Sequence, residues 1–166
     1  MPESLSINGW LVPPRKLKTF QIPGAKRRVT LDADAGRVLT ALAADYHKTV
    51  RPIDRGTWDE GGYNNRDARF SKGLKSNHAS GTAIDLNWSE EGAVNSTWGK
   101  RFFAQAKTKI AVERLRRRYG KVLQWGGDWR TVKDYMHWEV RPGVSRVNLK
   151  AFADRLGIDA EGRRKS

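Results

Sequence analysis

Residues 76–87 read Ser-Asn-His-Ala-Ser-Gly-Thr-Ala-Ile-Asp-Leu-Asn, and the interpretation of the chain starts from this stretch. Successive side chains of a β-strand point to opposite faces. If residues 82–87 form a strand, two aliphatic side chains lie on a face that meets the core, and Asp85 lies on the opposite, polar face. Gly81 permits a turn that folds His78 back toward that polar face. The stretch therefore predicts an imidazole and a carboxylate aimed into one cleft.

A second segment offers the missing partner for this pair. Residues 133–140 read Lys-Asp-Tyr-Met-His-Trp-Glu-Val, so His137 would lie on the polar face of a strand. A catalytic zinc site needs nitrogen and oxygen ligands, an open position for water, and a nearby carboxylate that takes a proton from that water. The predicted ligands are His78, Asp85 and His137, with Asp134 or Glu139 as the general base.

These motifs carry a resemblance to a known family. The pattern Ser76-x-His78-x-x-Gly81-x-Ala83-x-Asp85, followed by Asp134-x-x-His137, resembles the zinc D-Ala-D-Ala carboxypeptidase and L-alanyl-D-glutamate endopeptidase family. That family includes bacteriophage endolysins, and it shares its fold with the hedgehog signalling domain. The segments 61–66 and 125–129 are also similar to phage and bacterial members, and the resemblance covers about residues 35–142. It implies an α+β fold in which helices flank a small antiparallel sheet.

The resemblance also implies roles for individual residues. It implies a Zn²⁺ cofactor held by His78, Asp85 and His137, with Asp134 as the catalytic carboxylate. Many members carry Glu where this chain has the shorter Asp134. Arg66 matches the arginine that stabilises the oxyanion, although Arg51, Arg55 and Arg69 lie in the same loop region. Ser76 resembles a serine that hydrogen-bonds substrate, and bracing the turn before His78 is an equally good interpretation of it.

Hydrophobic periodicity predicts the remaining elements. Helices are predicted over about residues 34–47 and 100–119, with a short amphipathic helix after Pro142. Short strands are predicted over 50–53 and 123–125. The third histidine, His47, would end the first helix, where a capping or surface role is a better interpretation than a ligand role.

The chain length fits a single catalytic domain. We expect that domain over residues 30–158, an irregular basic N-terminal arm over 1–29, and a disordered tail over 159–166. The chain contains no cysteine, which excludes disulfides, thiolate zinc sites and a cysteine nucleophile. No stretch approaches the ~20 apolar residues of a membrane span, and the N-terminus lacks an apolar signal-peptide core.

The formal net charge of +14 indicates attraction to polyanions. Anionic cell-wall polymers fit such attraction, and no motif specific for nucleic acid is present. We expect a monomer that acts on bacterial peptidoglycan. A phage protein of this kind would be made in the host cytoplasm and reach the wall with help from a membrane-permeabilising partner. The predicted activity is L-alanyl-D-glutamate endopeptidase of the endolysin type, with D-alanyl-D-alanine carboxypeptidase as the alternative and a non-enzymatic wall or polyanion binder as the least favoured one.

Overall fold

The computed structural model describes residues 3–91 and 94–165, so residues 1, 2, 92, 93 and 166 lie outside the description. The strands are β1 (Ser4–Leu5), β2 (Leu11–Val12), β3 (Leu17–Gln21), β4 (Arg28–Asp32), β5 (Asp67–Ala68), β6 (Ser71–Lys75), β7 (Ala83–Asp85), β8 (Leu123–Trp125) and β9 (His137–Val140). The helices are α1 (Ala33–Thr49), α2 (Trp88–Glu91), α3 (Thr97–Ala104), α4 (Ala106–Tyr119) and α5 (Arg146–Arg155). The predicted mixture of helices with small antiparallel sheets is confirmed.

One three-stranded sheet positions the site, with strand order β7-β9-β8 and antiparallel pairing throughout. Its register places Asp85 opposite His137, and Glu139 between Ala83 and Gln124. Facing side chains of paired strands lie close together. The register therefore gathers the polar side chains of three strands on one face. Ile84 and Trp138 point the other way, into the hydrophobic core.

Helix α1 supplies the centre of that core. Its first turn is capped by Asp32, whose carboxylate accepts hydrogen bonds from the backbone N–H groups of Asp34 and Ala35. The apolar side chains recur at helical spacing, and Val38, Leu39 and Leu42 are fully buried. The helix predicted over 34–47 is thus present and slightly longer.

The N-terminal segment differs from the predicted irregular arm. Strands β1 and β2 pair with each other, and β3 and β4 form a second antiparallel hairpin. Trp10 and Phe20 are buried, and the segment between β1 and β2 makes long-range hydrogen bonds that local sequence patterns do not reveal. The basic residues predicted to make a solvated arm therefore lie on a folded part of the domain.

Three other local predictions also differ from the structure. The helix predicted over 100–119 is two helices, because Gln105 adopts an extended backbone between α3 and α4. Residues 50–53 form no strand. The segment 159–165 is ordered by contacts: Arg37 donates hydrogen bonds to the carbonyls of Ile158 and Asp159, and Lys18 pairs with Glu161 at 2.5 Å. In the part of the chain described, no helix is long and apolar enough to cross a membrane.

Candidate metal centre and active-site cleft

The turn before β7 aims His78 into the cleft. Backbone N–H groups of Ala79 and Gly81 donate to the carbonyls of Ser76 and His78, which closes a tight turn. Gly81 adopts φ +68°, and a Cβ at this position would lie 2.5 Å from the backbone nitrogen of Asp32. Both the backbone conformation and the close approach therefore require glycine. The predicted folding of His78 back toward Asp85 is present.

His78, Asp85 and His137 form a compact cluster whose potential ligand atoms all lie within 4.8 Å of one another. The His78 Nε2 atom lies 3.2 Å from Asp85 Oδ2, and His137 Nδ1 lies 3.0 Å from Asp85 Oδ1. The two imidazole nitrogens are 3.2 Å apart. Two imidazoles and one carboxylate are a donor set that catalytic zinc sites use.

A backbone carbonyl fixes the orientation of His78. Its Nδ1 atom lies 2.7 Å from the carbonyl oxygen of Gly62, so Nδ1–H donates there and Nε2 stays free to face the cluster. Gly62 is itself held close to β4, since a Cβ on it would lie 2.3 Å from the carbonyl oxygen of Thr30. The neighbouring Gly61 exchanges two backbone hydrogen bonds with Asp85. One short segment thus supports two members of the cluster.

Glu139 fixes the orientation of His137. Its Oε2 atom lies 2.7 Å from His137 Nε2, which leaves His137 Nδ1 facing Asp85. Glu139 also accepts hydrogen bonds of 2.6 Å from the side-chain amides of Asn77 and Gln124. A carboxylate behind a histidine ligand sets its tautomer and raises its basicity. These contacts engage Glu139 with His137 and two amides, an arrangement that suits a supporting role better than that of a general base.

The electrostatics of the cluster favour a bound cation. Burial alone raises the pKa of Asp85, but the nearby His78 and His137 imidazoles hold it below its usual range. Burial lowers the pKa of His137, yet hydrogen bonds to Asp85 and Glu139 outweigh it and raise the pKa to about 10. The Asp85 and Glu139 carboxylates, which contact the two nitrogens of His137, thus stabilise positive charge at this side of the cluster. A divalent metal ion satisfies the same demand.

Asp134 lies beside this cluster in a cavity of about 250 Å³, which His137 and Glu139 also line. Burial raises the pKa of Asp134, as does the charge of Asp85, while His137, His78 and Arg69 oppose the shift. Its backbone N–H donates to the carbonyl of Gly126 at 3.1 Å, and its own carbonyl accepts from His137 N–H. These bonds hold the backbone of Asp134 next to the start of β9, at the distance that the Asp-x-x-His spacing predicts.

The other predicted site residues line the same cavity. Arg66, Arg69 and Ser76 all border it, together with Phe70 from the turn between β5 and β6. Arg66 is partly buried, and its backbone is held by Asn64 and Ser76. Ser76 Oγ accepts a hydrogen bond from the His78 backbone N–H at 3.2 Å. Ser76 therefore braces the turn before His78 while also facing the cavity. Two other arginines of the loop region, Arg51 and Arg55, do not line this cavity.

His47 lies apart from the cluster, near the end of α1. Its Nδ1 accepts a hydrogen bond from the backbone N–H of Ile53 at 3.2 Å and lies 3.9 Å from Asp54. It shares no contact with the two clustered histidines within the described residues. The prediction that it is not a ligand agrees with this placement.

Sequence reasoning missed the contribution of the N-terminal segment. No sequence motif assigns a role to Asn8. Its side-chain amide nevertheless donates hydrogen bonds to Thr82 Oγ1 at 2.9 Å and to the Val140 carbonyl at 3.0 Å. Its backbone N–H donates to the side chain of Asn77. The Ser6 hydroxyl group donates a hydrogen bond to Ser80 Oγ at 2.8 Å. The step Asn8-Gly9 before Trp10 is a turn signal in the sequence, but it does not say which residues the turn contacts.

Comparison with known protein families agrees with this geometry. The model of the family described as D-alanyl-D-alanine carboxypeptidase matches residues 69–140. The matched segment contains the three clustered residues, Asp134 and Glu139, and it begins after Arg66. The match supports a peptidase that acts on peptidoglycan. No solved structure gave a significant match to the chain.

Proposed function

We propose that this protein is a zinc-dependent peptidase that hydrolyses peptidoglycan stem peptides and has the hedgehog/DD-peptidase fold. The observation that carries the proposal is the compact cluster of His78, Asp85 and His137 with Asp134 in the adjoining cavity. Ligands, a proton acceptor and a space for substrate therefore occur together. The family match independently supports peptide hydrolysis.

The residues present fit a zinc ion. Both imidazoles have their outer nitrogen fixed by an acceptor, Gly62 for one and Glu139 for the other, so each presents its second nitrogen to the cluster. Three protein ligands leave a position for water, as in other catalytic zinc sites. When bound, zinc supplies a Lewis acid that polarises the scissile carbonyl and makes the attacking water more acidic.

Asp134 acts as the general base in this proposal. Its raised pKa brings the carboxylate closer to the range in which it can both accept a proton from water and return one to the leaving amine. Asp134 is held by backbone hydrogen bonds next to His137, and among the described residues its carboxylate, unlike that of Glu139, makes no hydrogen bond to either clustered histidine. Glu139 is fully engaged with His137, Asn77 and Gln124 and serves as a positioning residue.

The two arginines of the cavity take different parts. Arg66 lines the cavity and is partly buried, whereas Arg69 is exposed, so we assign the guanidinium of Arg66 to the oxyanion, whose stabilisation needs a positioned charge. Arg69 is exposed in the turn between β5 and β6, and its charge acts on Asp134. Its place at the rim suits a carboxylate at the end of a substrate. Ser76 would contribute a hydroxyl to substrate binding.

The second arginine and the description of the matching family favour a D-alanyl-D-alanine carboxypeptidase. An exopeptidase must recognise a terminal carboxylate, and Arg69 offers the cation for it. The L-alanyl-D-glutamate endopeptidase remains the second candidate, because residues 61–66 and 76–85 resemble phage endolysins. In that case the protein acts on the host wall after release from the cytoplasm.

Mass spectrometry of the products distinguishes these activities. The zinc-loaded protein is incubated with a soluble pentapeptide stem and with purified peptidoglycan, beside Asp134→Asn and a chelator-treated sample. Release of free D-alanine from the pentapeptide supports the carboxypeptidase. New D-glutamate amino termini identify the endopeptidase instead. If neither product forms with the loaded protein, the proposed peptidase function is wrong.

A further inference from the structure

A second concavity, larger than the catalytic cavity, lies on the face built by α3, α4 and the segment after β8. We call it the basic groove. Its volume is about 830 Å³. The residues that line it are Lys100, Phe103, Ala104, Lys109, Ile110, Val112, Glu113, Arg114, Arg116, Arg117, Trp125, Gly127, Asp128 and Tyr135. None of the proposed catalytic residues is among them, so the groove is distinct from the peptidase site.

Five cationic side chains and two carboxylates line the basic groove. Arg116 is neutralised locally by Glu113 at 2.6 Å and Asp128 at 2.8 Å, and the Glu113 carboxylate also contacts Arg117. Three further cations at the groove are exposed and have no carboxylate partner in the part of the chain described: Lys100, Lys109 and Arg114. Both acidic residues of the groove are thus already engaged. The uncompensated charge is available to an anionic partner.

The aromatic floor of the groove is already packed. Phe103 stacks on Tyr135 with ring centroids 5.3 Å apart, and Phe103 contacts Trp125 at 5.0 Å. Trp125 in turn stacks on Trp138 at 5.7 Å. Phe103 and Trp125 are only 7% and 8% exposed. Binding of single-stranded nucleic acid commonly uses free aromatic faces on which bases stack. The groove offers cations without such faces, which favours an anionic polymer that lacks bases.

The groove adjoins the segment that carries the proposed base. The Trp125 indole N–H donates to the carbonyl of Tyr135 at 2.8 Å, and Asp134 N–H donates to the carbonyl of Gly126. Residues 125–135 therefore form one wall of the groove and also support Asp134. A polymer held in the groove would keep the catalytic cavity beside the material in which that polymer is embedded.

We propose that the basic groove binds a phosphodiester polymer of the bacterial cell wall and so retains the enzyme on its substrate. The choice of a wall polymer rests on the proposed peptidase function, whereas the anionic chemistry rests on the charges of the groove. Lysine and arginine side chains form charge-assisted hydrogen bonds with phosphate oxygens. Phosphodiesters keep one negative charge per repeat across the physiological pH range, so a flexible chain of them can contact several of these cations together.

The test compares two triple variants of the zinc-loaded full chain. Lys100→Gln/Lys109→Gln/Arg114→Gln removes the uncompensated groove charges. Arg15→Gln/Lys16→Gln/Lys26→Gln removes the same charge from exposed positions outside the groove. Binding to fluorescent poly(glycerol phosphate) is measured across a salt series, and cleavage of a soluble stem peptide is measured in parallel. A single-stranded oligonucleotide serves as the competing polyanion.

We expect the groove variant to bind poly(glycerol phosphate) about tenfold or more weakly, with a shallower salt dependence, because fewer counterions are released. The control variant should change by about twofold or less, since its charges act only at long range through screened solvent. Peptide cleavage should stay the same in both variants. Equal weakening in the two variants overturns the proposal, because general charge would then explain the binding.

Tighter binding of the oligonucleotide than of poly(glycerol phosphate) would also overturn it, since the partner would then be a nucleic acid. The peptide assay keeps the two proposals separate. A protein that binds poly(glycerol phosphate) through the groove but cleaves no stem peptide refutes the peptidase function alone. A protein that cleaves the peptide but shows no groove-dependent binding refutes the retention site alone.

Discussion

The two sides of the proposed active site are built in different ways. On the metal side, His78 and His137 are 3% and 6% exposed, and each has its outer nitrogen held by an acceptor. On the substrate side, Arg66 and Arg69 lie on a loop and a turn, and the neighbouring Phe70 is 64% exposed. One side is fixed by strand register and buried hydrogen bonds, whereas the other presents long side chains to solvent.

This difference follows from what each side must do. Metal ligands need positions fixed to within a fraction of an ångström, which buried strands with a supporting layer of hydrogen bonds provide. Substrate-binding groups need access and some freedom to adjust, and loops provide both. Substitutions on the metal side should therefore change metal affinity, and substitutions on the substrate side should change catalysis while the metal stays bound.

The largest effect is expected for His78→Ala. It removes a buried ligand, so we expect loss of stoichiometric zinc and a fall in peptide cleavage on the order of 10³-fold or more, since metal catalysis contributes several kcal/mol. Metal analysis and cleavage kinetics measure both effects. His47→Ala is the matched control, because this histidine lies outside the cluster. Full zinc occupancy in His78→Ala would remove His78 from the site.

Asp134→Asn should separate chemistry from metal binding. The amide keeps the size of the side chain but cannot accept the proton, so kcat should fall about 10²- to 10⁴-fold with zinc content unchanged. Circular dichroism and metal analysis establish that the variant is folded and loaded. A variant that retains most of its turnover would show that another group, with Glu139 as the first candidate, accepts the proton.

The two cavity arginines should give different kinetic signatures. Arg66→Ala should lower kcat by about 10²- to 10³-fold, because it removes the donor that we propose for the developing negative charge. Arg69→Ala should mainly raise KM for a substrate with a free terminal carboxylate and have little effect on the amidated analogue. Zinc content should remain unchanged in both. Reversed signatures would exchange the two roles, and equal KM values for the free and amidated substrates would remove the carboxylate-binding role of Arg69.

Features of the site that depend on residues close in sequence could be predicted, and features that depend on contacts between distant residues were harder to predict. The placement of the three proposed ligands follows from strand alternation and one glycine turn, which are local features around His78, Asp85 and His137. The pairing of Asp85 with His137 is a long-range feature, but two short strands with facing polar residues made it a natural expectation. The contact of Glu139 with His137 also follows from alternation along β9, whereas its contact with Gln124 depends on the register of β8 and β9, which no sequence pattern fixes.

The incorrect predictions share a physical cause. The N-terminal segment has little periodicity, and its order comes from hydrogen bonds such as Asn8 to Thr82, which join residues 74 positions apart. The break at Gln105 carries no glycine or proline signal, so helical periodicity continued through it in the sequence. The tail is ordered by Arg37 and Lys18, which lie more than a hundred residues earlier. Local propensity cannot report such contacts.

Glu139→Gln should weaken zinc binding by about 10- to 100-fold, the usual cost of altering a group behind a metal ligand. The side-chain amide can still accept a hydrogen bond from His137 Nε2–H. It lacks the negative charge that makes the His137 imidazole a stronger metal ligand. Competition with a chelator of known zinc affinity gives the change. Glu113→Gln removes an exposed carboxylate from α4 and should leave the zinc affinity unchanged. If both variants hold zinc as tightly as the wild type, Glu139 does not support the metal side.

The smallest effect is expected for Asn8→Ala, which tests whether the N-terminal segment belongs to the metal side. The substitution removes the side-chain amide bonds to Thr82 Oγ1 and the Val140 carbonyl and leaves two buried acceptors with fewer partners. A buried hydrogen bond contributes about 0.5–1.5 kcal/mol, so the loss of two should lower the free energy of unfolding by roughly 1–3 kcal/mol. Because Thr82 directly precedes β7 and Val140 is the last residue of β9, the proposed zinc binding should also weaken by a few-fold. Ser145→Ala is the stability-matched control: it removes the N-cap of α5, a loss of about 1 kcal/mol, and it lies outside the metal cluster.

Urea unfolding of the metal-free proteins measures the stability change, and chelator competition measures the zinc affinity. Asn8→Ala should lower both quantities, whereas Ser145→Ala should lower stability alone. An equal zinc affinity in the two variants would mean that the N-terminal segment stabilises the domain without supporting the metal ligands.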